Sequence, residues 1–429
     1  MKRWLPLLVL PLLGCGQGFD EAYEIQTLRV LAVQKDEPYA MPDSDVNLRM
    51  LWHDGSRNAE DADRNVEVHW FGGCINPPSG FYYGCYGQLT PAFLSLALDP
   101  EAPTEIPMLY GRGDEFTVRV PPPSQALERS RDPAVPLVGN SYVFFAVCAG
   151  HLRLREQYAE FIRNLTESVT ESCVDVACAA NVTASCPTPD CTAQILQACV
   201  DSGCVGQLMG AAYAEGPEMD LGGFPAICVD DDGTQLGPDD FVAGYSQYFI
   251  YPRVEDPATG LERPEYENQN PVVRGFRFDG RRGCDTVDGN SLRVVSGEAD
   301  SAGDEPPRLP CEFSAQRITV PACADDGDRS CPEYSIRPIL DLDEVVEDDS
   351  VAVQAYGDHL LEQMWINYYV DRGGLRSPVR LLADAVKGPN EEYGSGFYAP
   401  EEPGPVHVWA VVHDNRGGMG WVRQTIWVE

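Results

Sequence analysis

Hydrophobic and polar positions alternate with period two along much of this chain. The clearest run sets Val46, Leu48, Met50 and Trp52 against Asn47, Arg49, Leu51 and His53, the pattern of a strand with one buried face. Leu28 to Val33, Val66 to Phe71, Phe116 to Val120 and Tyr142 to Cys148 predict further strands, divided by turn clusters such as Asn76-Pro77-Pro78-Ser79-Gly80 and Pro121-Pro122-Pro123. Phe224 to Cys228 and the aromatic Tyr245 to Tyr251 continue the series. A second series covers Val272 to Phe278, Tyr334 to Leu340, Val351 to Tyr356, Gln363 to Val370, Val406 to Val412 and Trp421 to Val428. Asp414-Asn415-Arg416-Gly417-Gly418 predicts a hairpin between its last two strands. Short strands separated by turn residues argue for antiparallel sandwiches or barrels rather than a parallel α/β sheet.

After Gly150 the period changes. His151 to Val169 reads as an amphipathic helix through Leu154, Tyr158, Phe161, Ile162 and Leu165. Cysteines then fall at Cys173, Cys178, Cys186, Cys191, Cys199 and Cys204, spaced five, eight, five, eight and five, so a thirteen-residue repeat runs through the block. Zinc sites keep two separated pairs and haem attachment needs C-x-x-C-H, neither of which occurs, so disulfides are expected here rather than metal ligands or a redox centre. Their pairing is open. The block resembles cysteine-rich helical repeats of secreted proteins from myxobacteria and their relatives.

The chain begins MKRWLPLLVLPLLGC, in which Lys2 and Arg3 precede an apolar run too short to span a bilayer. Leu12-Leu13-Gly14-Cys15 resembles the lipobox of bacterial lipoproteins. That resemblance implies a signal peptide over residues 1–14, cleavage after Gly14, thioether and amide-linked lipid on Cys15, and a tether over 15–24. Several tens of buried methylenes, at roughly 0.8 kcal/mol each, make such an anchor effectively permanent. Gly16 rather than Asp follows the cysteine, which by similarity to enterobacterial sorting rules favours the outer membrane. The expectation is an exported protein, lipid-anchored to the cell envelope. Cysteine parity agrees: fifteen is high and odd, which suits an oxidising compartment, and a lipid on Cys15 leaves an even number to pair.

The simplest organisation makes residues 25–253 one sandwich, interrupted by a helical cysteine-rich insertion at 151–222. Residues 254–270 are then a polar, extended linker, and 271–429 a second sandwich. Cys148 and Cys228 flank the insertion and are predicted to bond to each other. Cys74 and Cys85 flank a Gly- and Tyr-rich loop and form a second candidate pair, while Cys284, Cys311, Cys323 and Cys331 staple loops of the second unit. Trp70 and Trp365 fall on middle strands, where immunoglobulin-like domains place a core aromatic. A proline-bearing loop precedes an apolar strand in both VPLVGNSYVFFAVC and YAPEEPGPVHVWAVV. With the lipobox, these features resemble immunoglobulin-like lipoproteins of predatory and marine deltaproteobacteria. The resemblance implies a mainly β fold of two immunoglobulin-like antiparallel β-sandwiches with an inserted disulfide-rich helical subdomain, and it implies no activity.

Charge narrows the partners. With 67 acidic against 31 basic residues the net charge is -36, which repels phosphate backbones, so nucleic acid is excluded as a partner. G-x-S-x-G, H-E-x-x-H, G-x-x-x-x-G-K-[ST] and G-x-G-x-x-G are absent. His53, His69, His407 and His413 lie on predicted strands and read as ordinary strand residues. His407 and His413, six residues apart on one strand, are separated by some 20 Å and cannot share an ion. Asp230-Asp231-Asp232, Asp325-Asp326-Gly327-Asp328 and Asp341-Leu342-Asp343-Glu344 read as solvated loops, with structural calcium as the alternative. The functional expectation is a non-enzymatic protein of surface binding or envelope structure, held to the membrane through Cys15, with the insertion as a recognition or spacer element and a protein or glycan as ligand. The alternatives are an exported hydrolase with Asp230 and Asp341 among its acids and bases, and a calcium-rigidified spacer. No cofactor beyond calcium is expected.

Overall fold

A computed structural model describes residues 22–56, 64–76, 110–128, 136–156, 225–279, 281–283, 318–323, 331–357 and 359–429. The first unit contains β1 (Leu28–Lys35), β2 (Tyr39–Ala40), β3 (Asp45–Asp54), β4 (Glu67–Asn76), β5 (Tyr110–Arg112), β6 (Glu115–Arg119), β7 (Gly139–Cys148), β8 (His151–Leu154), β9 (Ala226–Val229) and β10 (Phe241–Ile250). One sheet has the order β1-β3-β6 and the other β2-β10-β7-β4-β5. Every pairing is antiparallel except the short β2, which runs parallel to β10. The two sheets enclose one core. Val46, Leu48 and Met50 of β3, with Phe116 and Val118 of β6, meet Trp70, Val143, Phe145, Val147 and Tyr248 of the facing sheet. Trp70 is fully buried, stacks on Phe116 with ring centroids 5.8 Å apart, and donates its indole N–H to the Gly113 carbonyl at 2.8 Å. The largest side chain of this core therefore carries no unmet polar group.

The second unit contains β13 (Phe276–Phe278), β14 (Arg281–Gly283), β15 (Thr319–Val320), β16 (Glu333–Pro338), β17 (Met364–Val370), β18 (Gly374–Leu375), β19 (Val379–Asp384), β20 (Gly388–Pro389), β21 (Ser395–Tyr398), β22 (Gly404–Asp414) and β23 (Met419–Val428), after β11 (Arg253–Glu255) and β12 (Glu262–Pro264) of the connecting segment. Its sheets have the orders β14-β13-β16-β21-β18 and β15-β23-β22-β17-β19-β20, with β15 parallel to β23. Phe276, Phe278, Ile336 and Phe397 of the first pack on Ile366, Tyr368, Val408, Ala410 and Ile426 of the second. The fold is mainly β, as the period-two patterning requires, and both units have the layering of a sandwich.

Three local expectations change. Val351 to Tyr356 is not a strand but the helix Ser350–Tyr356, because Asp349 caps it by accepting the Ala352 N–H and Gly357 ends it in the left-handed region at φ 75°. Trp365 lies on the central strand β17 but outside the core, stacked on His413 with centroids 5.3 Å apart, while Tyr368 fills the interior. Residues 254–270 are not simply extended: β11 and β12 form a hairpin, and the stretch after it is held between the units. There Tyr266 packs on Tyr251 at 4.9 Å, and the Asn270 side chain donates to the Lys35 carbonyl and accepts the Met419 N–H.

The two units are packed sheet on sheet. Leu31, Ala32 and Leu51, on the outer side of β1 and β3, bury against Trp409, Val411 and Trp421 on the outer side of β22 and β23. Arg49, on the same side of β3, stands 5.6 Å over the Trp421 ring. At one end of this seam the β22–β23 turn inserts Arg416, whose guanidinium donates to Glu362 at 2.7 Å and Glu347 at 2.9 Å and stands over the Tyr39 ring. Arg416 and Glu362 are only 3% and 2% exposed, so this pair is shielded from solvent screening.

Candidate functional site

Where β7 ends, the chain turns through Ala149 and Gly150 into β8. A Cβ on Gly150 would lie 2.3 Å from the Val229 carbonyl oxygen, so only glycine permits this approach. β8 pairs with β9 from His151↔Val229 to Leu154↔Ala226. This corrects the helix expected from His151. Leu152 is buried between the half-buried His151 and Arg153, and the β9 ladder satisfies the backbone groups of the segment. Arg155 N–H donates to the Pro225 carbonyl at 2.9 Å, so the segment 157–224, outside the described residues, leaves and returns at adjacent points. A disulfide joins Cys148 to Cys228 across this root, with Cα atoms 5.5 Å apart and a sequence separation of 80.

A histidine and carboxylate relay lies beside the disulfide. Glu67, the first residue of β4, is paired with Cys148 in the ladder. Its carboxylate accepts from His69 Nε2 at 3.0 Å, His151 Nδ1 at 3.1 Å, the Leu152 N–H at 3.2 Å and Arg112 at 3.2 Å. Burial pushes the Glu67 carboxyl up, but the bonds from His69, Leu152 and His151 outweigh it and hold the group down at about 2. An ionised carboxylate only accepts, so His69 carries its proton on Nε2. Burial keeps His69 below the usual histidine range, and its free Nδ1 accepts from the Tyr110 hydroxyl at 2.6 Å. His151 differs. Both ring nitrogens face carboxylates, Glu67 and Asp231 (2.9 Å), so both must donate, and these bonds raise its pKa. The imidazolium therefore bridges β4 of the framework to the turn after β9.

Chemically, this arrangement holds charge in place. His69 and Tyr110 are each 1% exposed, so the inner end of the relay meets no solvent-borne substrate. Only Asp231, His151 and Arg112 reach the surface.

The remaining predicted residues are dispersed. Cys74 is buried on β4 and disulfide-bonded, with a partner outside the described residues. Cys323 is bonded to Cys331. Cys15, Cys85, Cys173, Cys178, Cys186, Cys191, Cys199, Cys204, Cys284 and Cys311, with Asp325, Asp326 and Asp328, lie outside the described residues. Asp230 shapes a turn by accepting the N–H groups of Asp232 and Thr234, and Asp341 precedes a one-turn helix of the other unit. Among the described residues no group of three or more His, Cys, Asp or Glu is arranged to hold a metal ion, and no helix is long and apolar enough to cross a membrane.

One cluster has no counterpart in the linear pattern. His53 of β3 meets Trp409 at 4.6 Å and His407 at 5.9 Å between ring centroids, across the seam between the units. Asp371 accepts both the backbone N–H and Nδ1 of His407, at 2.8 and 2.7 Å. Burial drives His53 down to about 4, against the pull of Asp371, so it is neutral at physiological pH. No spacing rule brings residues 53 and 407 together; the apolar Leu51 on the polar side of β3 was the one hint that this face is covered.

No family model matches the chain, and no curated protein sequence does. Among solved structures, the crystal structure of dimeric latent PorU from Porphyromonas gingivalis is similar at 9% identity over 95% of this chain and 24% of that one, with a TM-score of 0.15. The chain spans about a quarter of that protein's length, and so low a likeness carries no argument about fold or function.

Proposed function

We propose that this is an exported cell-envelope protein, lipid-anchored through Cys15 at the outer membrane, that presents the segment 157–224 on a platform and acts by binding rather than by catalysis. The root of that segment carries the reading. A disulfide, a four-residue ladder and a charged relay fix both its ends to one sandwich, the arrangement by which scaffolds display variable binding elements. The displayed segment is a helical, disulfide-rich subdomain, and its ligand is a protein or glycan. The platform consists of two immunoglobulin-like sandwiches, a reading supported by the repeated parallel pairing of a short early strand with the last strand, β2 with β10 and β15 with β23.

Detergent partitioning tests the anchor: the wild type enters the detergent phase and Cys15→Ala stays aqueous. Replacing 157–222 by a short Gly-Ser linker tests the platform, whose unfolding transition is expected to persist. A variant at Cys15 that remains membrane-bound, or a platform that fails to fold without the segment, contradicts the reading.

A further inference from the structure

We propose that the end of the molecule from which the 157–224 segment leaves is its membrane-facing end, an inference that rests on the lipid-anchor reading for Cys15. A continuous set of contacts links the tether exit to the root. The Ala22 carbonyl accepts from Arg29 at 2.7 Å. Residues 23–25 are pinned to β17, since Val370 N–H donates to the Tyr23 carbonyl at 3.0 Å and Ile25 N–H to the Val370 carbonyl at 2.7 Å. Leu28 then pairs with Asp54 at the end of β3. Arg64 bridges Asp54, at 3.3 Å, to Asp240. Asp240 accepts the Ala149 N–H at 2.9 Å, and the next residue, Phe241, pairs with Cys148. The tether exit, the Cys148–Cys228 staple and the His151 relay thus share one end of the first sandwich.

The opposite end holds Ile250, Gly139 and Ala40 in register, Lys35 against Gln247, and the β22–β23 turn with Arg416. β10 runs from one end to the other, Phe241 to Ile250, a length of ~30 Å. From Cys15 to Ala22 a fully extended chain reaches at most ~25 Å. Turning the molecule over, so that the far end touched the bilayer, would lift Ala22 by about the length of β10, beyond that reach. The tether therefore admits the orientation with the root towards the lipid and excludes the inverted one. The Cys148–Cys228 staple and the His151 relay therefore face the headgroup layer of the anchoring bilayer.

The test uses the mature lipoprotein in phosphatidylcholine vesicles that contain a dilute acceptor-labelled lipid, with a donor fluorophore placed by an unnatural amino acid at Asp232 or at Leu261. Asp232 is exposed at the root, and Leu261, 69% exposed, lies on the turn of the β11–β12 hairpin, which follows the far end of β10 and is held to the Pro42 carbonyl by Arg253. A height difference of ~30 Å predicts transfer at least about twofold stronger from position 232. A second arm replaces residues 1–21 by a hexahistidine sequence and captures the chain on nickel-chelating lipid. Equal or reversed transfer in either arm overturns the orientation. Loss of vesicle flotation in the first arm alone refutes the lipid anchor, and the second arm still reads the orientation.

Discussion

Replacing Arg416 with methionine strips a buried carboxylate of its cation. Glu362 faces Arg416 at 2.7 Å with both side chains almost wholly buried, and removing one partner of such a pair costs about 3–5 kcal/mol. Burial already pushes Glu362 up to about 7, with Arg416 opposing the rise, so the variant carries it higher still. Because the folded pKa lies above the ordinary value of 4.5, the folded chain binds this proton more tightly than the unfolded chain. The resulting stability is fully present below about 4.5 and lost as pH rises through about 7. In Arg416→Met that loss moves to higher pH. The deficit relative to wild type is therefore expected near 3–5 kcal/mol at pH 8 and at roughly half that at pH 5. Urea unfolding under non-reducing conditions, followed by the fluorescence of Trp409 and Trp421 in the seam, measures both values. Arg416→Met with Glu362→Gln should recover about 2 kcal/mol, because no buried charge remains. A deficit below about 1 kcal/mol, or one independent of pH, refutes a seam held by this pair.

Other perturbations probe separate parts. Burial lowers Lys35 from 10.5 to about 8, with Asp414 opposing. The unfolded chain thus holds that proton more tightly, and stability rises with pH between about 8 and 10.5. Lys35→Met should abolish this rise and stabilise the protein by up to about 3 kcal/mol at pH 7; an unaltered pH profile by thermal denaturation contradicts it. Cys148→Ser with Cys228→Ser opens a large loop and should cost about 4 kcal/mol in urea, whereas no loss would mean the root is held by its ladder and relay alone. The raised His151 pKa gives the relay stability that is present below about pH 6.5 and lost as pH rises through the folded value. His151→Gln should therefore speed amide exchange in β8 and β9 at pH 6 and match the wild type at pH 9, and a difference confined to pH 9 would reverse the assignment of an imidazolium.

Inward positions were legible wherever one face meets a core. Val46, Leu48 and Met50 are buried as their alternation requires. The opposite face of β3 reads as solvent-facing, yet Leu51 and His53 pack on Trp409 and its neighbours, because a strand's pattern records polarity and not which sheet covers it. The Ser350–Tyr356 helix was readable from Asp349 and Gly357 at its ends, but two valines weighed towards a strand; seven residues are too few for periodicity to decide. For β8 the error ran the other way, since four residues of strand were absorbed into a longer helical pattern. The relay has no linear signature, because Glu67, His151 and Asp231 come from three separate stretches that converge only when β4 pairs with β7 and β8 with β9.

The lipid proposed on Cys15 is tested most directly by the mass of the N-terminal peptide of the mature protein. The predicted result is a peptide that begins at Cys15 and carries diacylglyceryl and amide-linked acyl mass. An unmodified Cys15, or a mature chain that starts elsewhere, contradicts it.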